Sequence, residues 1–137
     1  KPSYVKKAAF TRFSNPTVFK MKTTTSRLPD YSVYGQVEFE HRGKKYKLNV
    51  YRDIELSKRS GFENYLFIPF KDATNGKITY GGGRFLDATD TGSDILILDF
   101  NRAYNPYCAY NHKYSCPIPP EENYLPFKVK AGELMYH

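Results

Sequence analysis

The sequence predicts an all-β domain, a sandwich or partly open barrel of seven to eight short, mostly antiparallel strands, on three observations. Apolar and polar residues alternate repeatedly with the strand period. Two runs, Tyr65-Leu66-Phe67-Ile68 and Ile95-Leu96-Ile97-Leu98, are apolar on both faces. Nine Gly and nine Pro punctuate 137 residues, and no helix-period segment of convincing length is present. That length suits one domain, residues 1–137. With 40% hydrophobic and 26% charged residues the chain can bury a real core, which excludes a disordered tail.

Residues 5–13 and 17–24 read as strands, the second with Phe19 and Met21 on one face and Lys20 and Lys22 on the other. Val33, Gly35, Val37 and Phe39 alternate with polar neighbours up to the turn at His41-Arg42-Gly43-Lys44. Tyr46, Leu48 and Val50 then alternate back, making the best local hairpin. A short helix over 54–60 is the most that the pattern offers in helical structure. The run at Tyr65 is expected to end at Pro69, Asn75-Gly76 is a strong turn signal, and the run at Ile95 is the expected central strand. Pro117-Ile118-Pro119-Pro120 is stiff coil, and Phe127, Val129 and Ala131 against Lys128 and Lys130 predict a last strand.

Charge is unevenly placed within the net +7. Residues 1–60 carry 14 Lys+Arg against 5 Asp+Glu, whereas 61–137 carry 7 against 9. A basic half can attract nucleic acid, anionic lipid or an acidic partner, but most of these lysines alternate with apolar residues, as on a solvated sheet face. Nucleic acid ranks last among partners because no sustained stacking motif accompanies the tyrosines. No apolar run approaches the ~20 residues that cross a bilayer.

Functional residue types concentrate in the second half, in Lys71–Gly76 with Thr79–Arg84, in Asp99–Pro106, and in Ser115-Cys116-Pro117 with Glu121, Glu122 and Asn123 beyond. If 88–93 loops between paired strands, Asp87 faces Asp94, Arg84 faces Ile97 and Gly82 faces Asp99. Arg84 would then be a diagonal neighbour of Asp99 beside a glycine-made gap, with Phe85, Leu96, Leu98 and Phe100 on the core side. The expected site is a polar pocket lined by Asp72, Thr74, Asn75, Arg84, Asp99, Asn101, Arg102, Tyr104 and Asn105, with an arginine fork for an anionic group. The alternative is an ion-pair network closing the end of a sheet.

Particular chemistries find little support. Gly81-Gly82-Gly83 lacks the spacing of a phosphate or dinucleotide loop. Cys108-x3-His112-x3-Cys116 supplies three soft ligands without the paired spacing and fourth ligand of zinc sites, so no metal or other cofactor is expected. The two cysteines either close a short disulfide loop in an oxidising compartment or stay as buried thiols. Ser115 and Cys108 lack an identifiable base, and nothing fixes the distance between Asp72 and Asp99. No catalytic residue is assigned.

The stretches Pro69-Phe70-Lys71-Asp72-Ala73-Thr74-Asn75-Gly76-Lys77, Thr79-Tyr80-Gly81-Gly82-Gly83-Arg84-Phe85-Leu86-Asp87, Asp99–Tyr110 and Ser115–Pro120 together resemble the bacterial family catalogued as domain of unknown function 1684. Gly132-Glu133 fits the same pattern, and the resemblance covers roughly residues 20–134. It implies no established activity, substrate or catalytic residue. Members are usually longer at the N-terminus, and the chain starts at Lys1, so it reads as a processed or trimmed segment. The lysine- and tyrosine-rich style resembles a Bacteroidetes-type member. This implies a lean to the cell envelope, which in turn favours a Cys108–Cys116 disulfide. The leading expectation is therefore a β domain that binds a small polar or anionic ligand. A hydrolase or lyase using Asp99 or Asp72 as base with an arginine for charge stabilisation is the alternative, and a purely structural polar network with a basic surface for an anionic partner is the second.

Overall fold

Long alternating segments of this chain pair into the ladders of one sheet. The computed structural model describes residues 1–135. It contains β1 (Val5–Lys20), β2 (Asp30–His41), β3 (Lys44–Asp53), β4 (Tyr65–Asp72), β5 (Arg84–Thr89), β6 (Ile95–Asp99) and β7 (Tyr124–Leu125). The order across the sheet is β5-β4-β3-β2-β1-β6, every neighbour antiparallel, with β7 parallel to the end of β4. The sheet curls into a nearly closed barrel whose two edges are β5 and β6. Among the described residues helical structure is limited to 3₁₀ turns, one at Leu56–Lys58 where a short helix was expected.

The β2–β3 hairpin forms as its alternation requires, with His41 opposite Lys44 and Arg42-Gly43 as the two-residue turn. Val37, Leu48, Val50, Leu66, Ile68, Leu86 and Leu98 fill the barrel interior. The opposite face of the same strands carries a second apolar cluster, Met21, Tyr31, Tyr51, Phe67 and Phe85. Tyr65-Leu66-Phe67-Ile68 is apolar on both faces because it serves both clusters.

Four expectations are corrected. β4 runs through Pro69 to Asp72. The Pro69 carbonyl accepts from Asn123 Nδ2 at 2.8 Å, and the proline nitrogen points to that same side, where no ladder donor is required. Ile95–Leu98 lies in an edge strand, not a central one, and Ile95 and Ile97 are about half exposed, at 55% and 51%. The β5–β6 ladder is absent: β5 pairs with β4, placing Arg84 opposite Phe70, while β6 pairs with β1, placing Asp99 opposite Val5. The face assignment changes with it, because Leu86, Leu96 and Leu98 share the interior and Phe85 lies outside. Finally, 127–131 is not a strand, although Val129 and Ala131 are buried and Lys128 and Lys130 exposed as the alternation implied.

That last segment is a strap held by side chains instead of a ladder. Arg84, fully buried, donates from Nη2 to the Val129 carbonyl at 3.0 Å and from Nη1 to the carbonyls of Ala131 and Glu133. Its partner Asp72, equally buried, lies 3.3 Å from Nη2 and accepts the Val129 amide at 2.8 Å. Asp72 also takes the Thr74 amide and hydroxyl, which tightens the 72–76 loop. The buried guanidinium and carboxylate thus act as one artificial strand edge. Gly132 completes the fit: at φ +80° a Cβ there would lie 2.8 Å from the carbonyl oxygens of Phe100 and Ala103. Gly83, at φ +92°, similarly lies against the Phe70 carbonyl, so the last of the three glycines serves a close crossing. Asn123, fully buried, plays a related part, taking the Asn49 amide and donating to the carbonyls of Asn49 and Pro69 where β3 and β4 diverge.

The 90–94 loop is fastened across the barrel by Arg12, which forks onto Asp90 at 2.6 and 3.0 Å and reaches the Ser93 carbonyl at 2.7 Å. Tyr34 donates to the same carboxylate at 2.5 Å. The bond from Arg12 holds the Asp90 carboxyl well below the usual carboxylate range, against the opposing effect of burial.

Three outcomes are expected. Arg84→Met leaves Asp72 buried without its cation, so urea denaturation is expected to show a loss of about 3–5 kcal/mol. Removing the exposed Lys20–Asp30 pair by Lys20→Met is expected to change stability by under about 1 kcal/mol. Because the Asp90 carboxyl is depressed in the fold, its contribution is complete above the unfolded value near ~3.9 and is lost progressively below it. Thermal melts of wild type are therefore expected to fall more steeply below about pH 4 than those of Asp90→Asn.

Candidate functional site

The outer apolar cluster needs a cover, and the chain supplies one from the residues that follow β6. Tyr104 pairs with Phe85 through both backbone bonds, at 2.9 and 3.1 Å, and brings 104–107 alongside the outer face of β5. The next turn leads into a loop closed by the Cys108–Cys116 disulfide. That loop is tied to the 22–27 segment: Thr24 N–H donates to the Cys116 carbonyl at 3.0 Å, Thr24 Oγ1 to the Tyr114 carbonyl at 3.0 Å, and Ile118 N–H to the Lys22 carbonyl at 2.9 Å.

Between cluster and cover lies a cleft of about 590 Å³. Its floor is Tyr31, Tyr65, Phe67 and Phe85; its walls include Tyr104, Asn105, Pro106 and Cys116. Phe67 and Phe85 meet edge to face at 4.7 Å, and Phe85 meets Tyr104 in the same way at 5.7 Å, a packing that fixes the floor. Three carboxylates border this surface: Asp53, Asp87 and Glu133. Asp87 stands directly opposite Phe67 across the β4–β5 ladder. Its Oδ1 accepts the hydroxyls of Tyr65 at 2.6 Å and Tyr104 at 2.7 Å. Burial, reinforced by the Asp87 bond, pushes both phenols well above their ordinary range, so they remain neutral donors. Burial and then Asp53 do the same to Tyr31.

Glu133 accepts the Asn105 amide on Oε1 at 2.7 Å and the Tyr110 hydroxyl on Oε2 at 3.3 Å. Asn105 is 5% exposed. Its Nδ2 donates to Tyr110 Oη at 3.2 Å and to the Leu134 carbonyl at 3.0 Å, while its Oδ1 is buried with no hydrogen-bond partner among the described residues. An orphaned acceptor of this kind is a costly feature that a donor from a ligand would relieve.

The nine residues selected from sequence divide among three places. Tyr104 and Asn105 line the cleft, and Tyr104, like Tyr65 and Asp87, also borders the neighbouring β5–β6 groove. Asp72, Thr74 and Arg84 are buried in the strap network, and Asn75 closes the adjoining loop through the Asp72 amide, Thr79 Oγ1 and the Tyr80 carbonyl. Asp99 and Arg102 border a groove of about 690 Å³ between β5 and β6. Asn101 bonds to Asp99 Oδ1 and to the Lys1 carbonyl. The single hollow expected for Arg84 and Asp99 required the β5–β6 ladder, which does not form. Sequence reasoning missed Tyr31, Tyr65, Asp87 and Glu133 as cleft residues. The signal was the apolar outer face of Tyr65-x-Phe67 and Phe85, which demands a cover. A third hollow, about 420 Å³, gathers Arg42, Lys44, Lys128 and Lys130 around the buried His41, whose ring stacks on Phe127 at 4.3 Å.

Comparison with known proteins finds a family described as "Protein of unknown function (DUF1684)" matching residues 1–134. The chain is also similar to the solution NMR structure of an uncharacterised protein of Haloarcula marismortui. The two are 33% identical with a TM-score of 0.79, covering 98% of this chain and 72% of that one. No curated protein matches.

The disulfide encloses a loop with a sequence separation of eight, so chain entropy alone gives it about 2–3 kcal/mol. Reduction with dithiothreitol is expected to lower the melting temperature and to broaden the NMR signals of 105–117 first, leaving the β2–β3 amides unchanged at temperatures well below the transition.

Proposed function

Starting from a chain that belongs to the DUF1684 family, we propose a binding domain for a small polar ligand, seated in the outer cleft with its apolar part on the Phe67–Phe85 floor. The observation that carries this reading is the orphaned Asn105 Oδ1 in the wall of a covered, aromatic-floored cleft. The volume falls within the ~300–1,000 Å³ of small-molecule sites, and a few polar groups on an apolar surface are what orient such ligands. Tyr104 and Asn105 are the ligand-facing members of the sequence-selected set. Asp72, Thr74, Asn75 and Arg84 serve the site indirectly, because the strap they hold delivers Glu133 to the cleft. The Cys108–Cys116 bond over the cleft supports residence in an oxidising compartment.

A fragment library screened by two-dimensional NMR tests the reading. Hits are expected to shift the amides of Phe85, Asp87, Tyr104 and Asn105, and Tyr104→Leu is expected to weaken them at least tenfold. Arg102→Ala is expected to leave affinity unchanged. Hits confined to Asp99 and Arg102 in the β5–β6 groove, or no hits at all, would overturn it.

A further inference from the structure

We propose that the ligand of the outer cleft is an organic ammonium ion that carries at least one N–H, a deduction that rests on the cleft being the ligand site. The first argument is charge. The chain has a net charge of +7, yet the cleft is lined by Asp53, Asp87 and Glu133 and, among the described residues, by no Lys, Arg or His. Arg27 stands behind the lining, donating to Ser115 from Nε to Oγ at 3.1 Å and from Nη2 to the carbonyl at 3.3 Å. An anion entering here meets three carboxylates against the single charge of Arg27 behind Ser115.

The second argument is hydrogen-bond polarity. The hydroxyls of Tyr65 and Tyr104 are both directed to Asp87 Oδ1, which leaves Oδ2 of that exposed carboxylate as an acceptor. Asn105 contributes another acceptor, buried and without a donor among the described residues. Asp87 and Asn105 therefore receive protons and do not supply them. A quaternary ammonium would satisfy the charge but not Asn105, so the cation has an N–H to give. The third argument is the ring set. Tyr31, Tyr65, Phe67, Phe85 and Tyr104 line the same cleft as the acidic groups, and a cation seated over a ring face is favoured over a neutral isostere.

Three probes of nearly one shape and different charge, benzylammonium, benzyl alcohol and benzoate, test the inference by NMR titration at pH 7 and constant ionic strength. Benzylammonium is expected to shift the amides of Asp87, Tyr104 and Asn105 with at least tenfold higher affinity than benzyl alcohol, and benzoate to leave them unmoved. Asp87→Asn is expected to remove at least tenfold of the benzylammonium affinity while that of benzyl alcohol stays the same. The asparagine Oδ1 can still receive the two tyrosine hydroxyls. If its spectrum nonetheless reports loss of the fold, Glu133→Gln, which can still accept the Asn105 amide, takes its place with the same expectation. Binding of benzyl alcohol or benzoate at these amides as tightly as benzylammonium would overturn the ammonium assignment and leave the cleft as a ligand site. Failure of benzylammonium to shift them at all would also overturn it, and the fragment screen then decides separately whether the cleft binds anything.

Discussion

The structure depends on a buried guanidinium that does the work of a missing strand. Arg84 lies on the interior face of an edge strand, and its Nη atoms meet three successive alternate carbonyls of the 127–133 strap. Asp72 neutralises it and returns an acceptor to the same strap at Val129. Isolated, either charge would be costly to bury; together, with the strap's backbone groups satisfied, they hold a segment that no ladder holds. Burial opposes the charged form of Arg84 while Asp72 supports it, which is the balance expected of a pair kept for position.

Position matters because the strap ends at the cleft. Glu133 supplies the last of the carbonyls bound by Arg84, and its carboxylate receives the Asn105 backbone amide. The other side of the cleft is set by the sheet itself, through Phe67 and Asp87 facing each other across β4 and β5. The cover is set by the disulfide loop and its bonds to Thr24 and Lys22. A sheet with apolar residues on both faces is thus closed on the inside by its own curl and on the outside by the chain's later, Pro- and Tyr-rich part.

Much of this was legible in the sequence, and the unread part has a physical reason. Local pairings followed from alternation and turn chemistry, as in Gly35–Val50 around Arg42-Gly43, and the two-faced run at Tyr65 was correctly read as buried on both sides. The edge position of Ile95–Leu98 was not, because two apolar faces suggest a centre, while here Ile95 and Ile97 are exposed and Ile97 borders an open groove. Adjacent segments 84–89 and 95–99 looked like a hairpin, yet each found a longer partner elsewhere, β4 and β1. Alternation at Phe127–Ala131 correctly predicted burial but not pairing, since a side chain in place of a strand leaves no period in the sequence. Asp87 and Glu133 join the cleft from segments 46 residues apart, a proximity that only the closed sheet and the anchored strap create.

Native-state hydrogen exchange at Val129 tests the central claim most directly, because its amide donates to the Asp72 carboxylate and to no ladder. If the Arg84–Asp72 pair holds the strap as a strand would, that amide exchanges only through global opening, with the free energy of the β2 and β3 amides. Exchange at the pace of an exposed turn amide such as that of Lys113, with β2 and β3 still protected, would contradict the account.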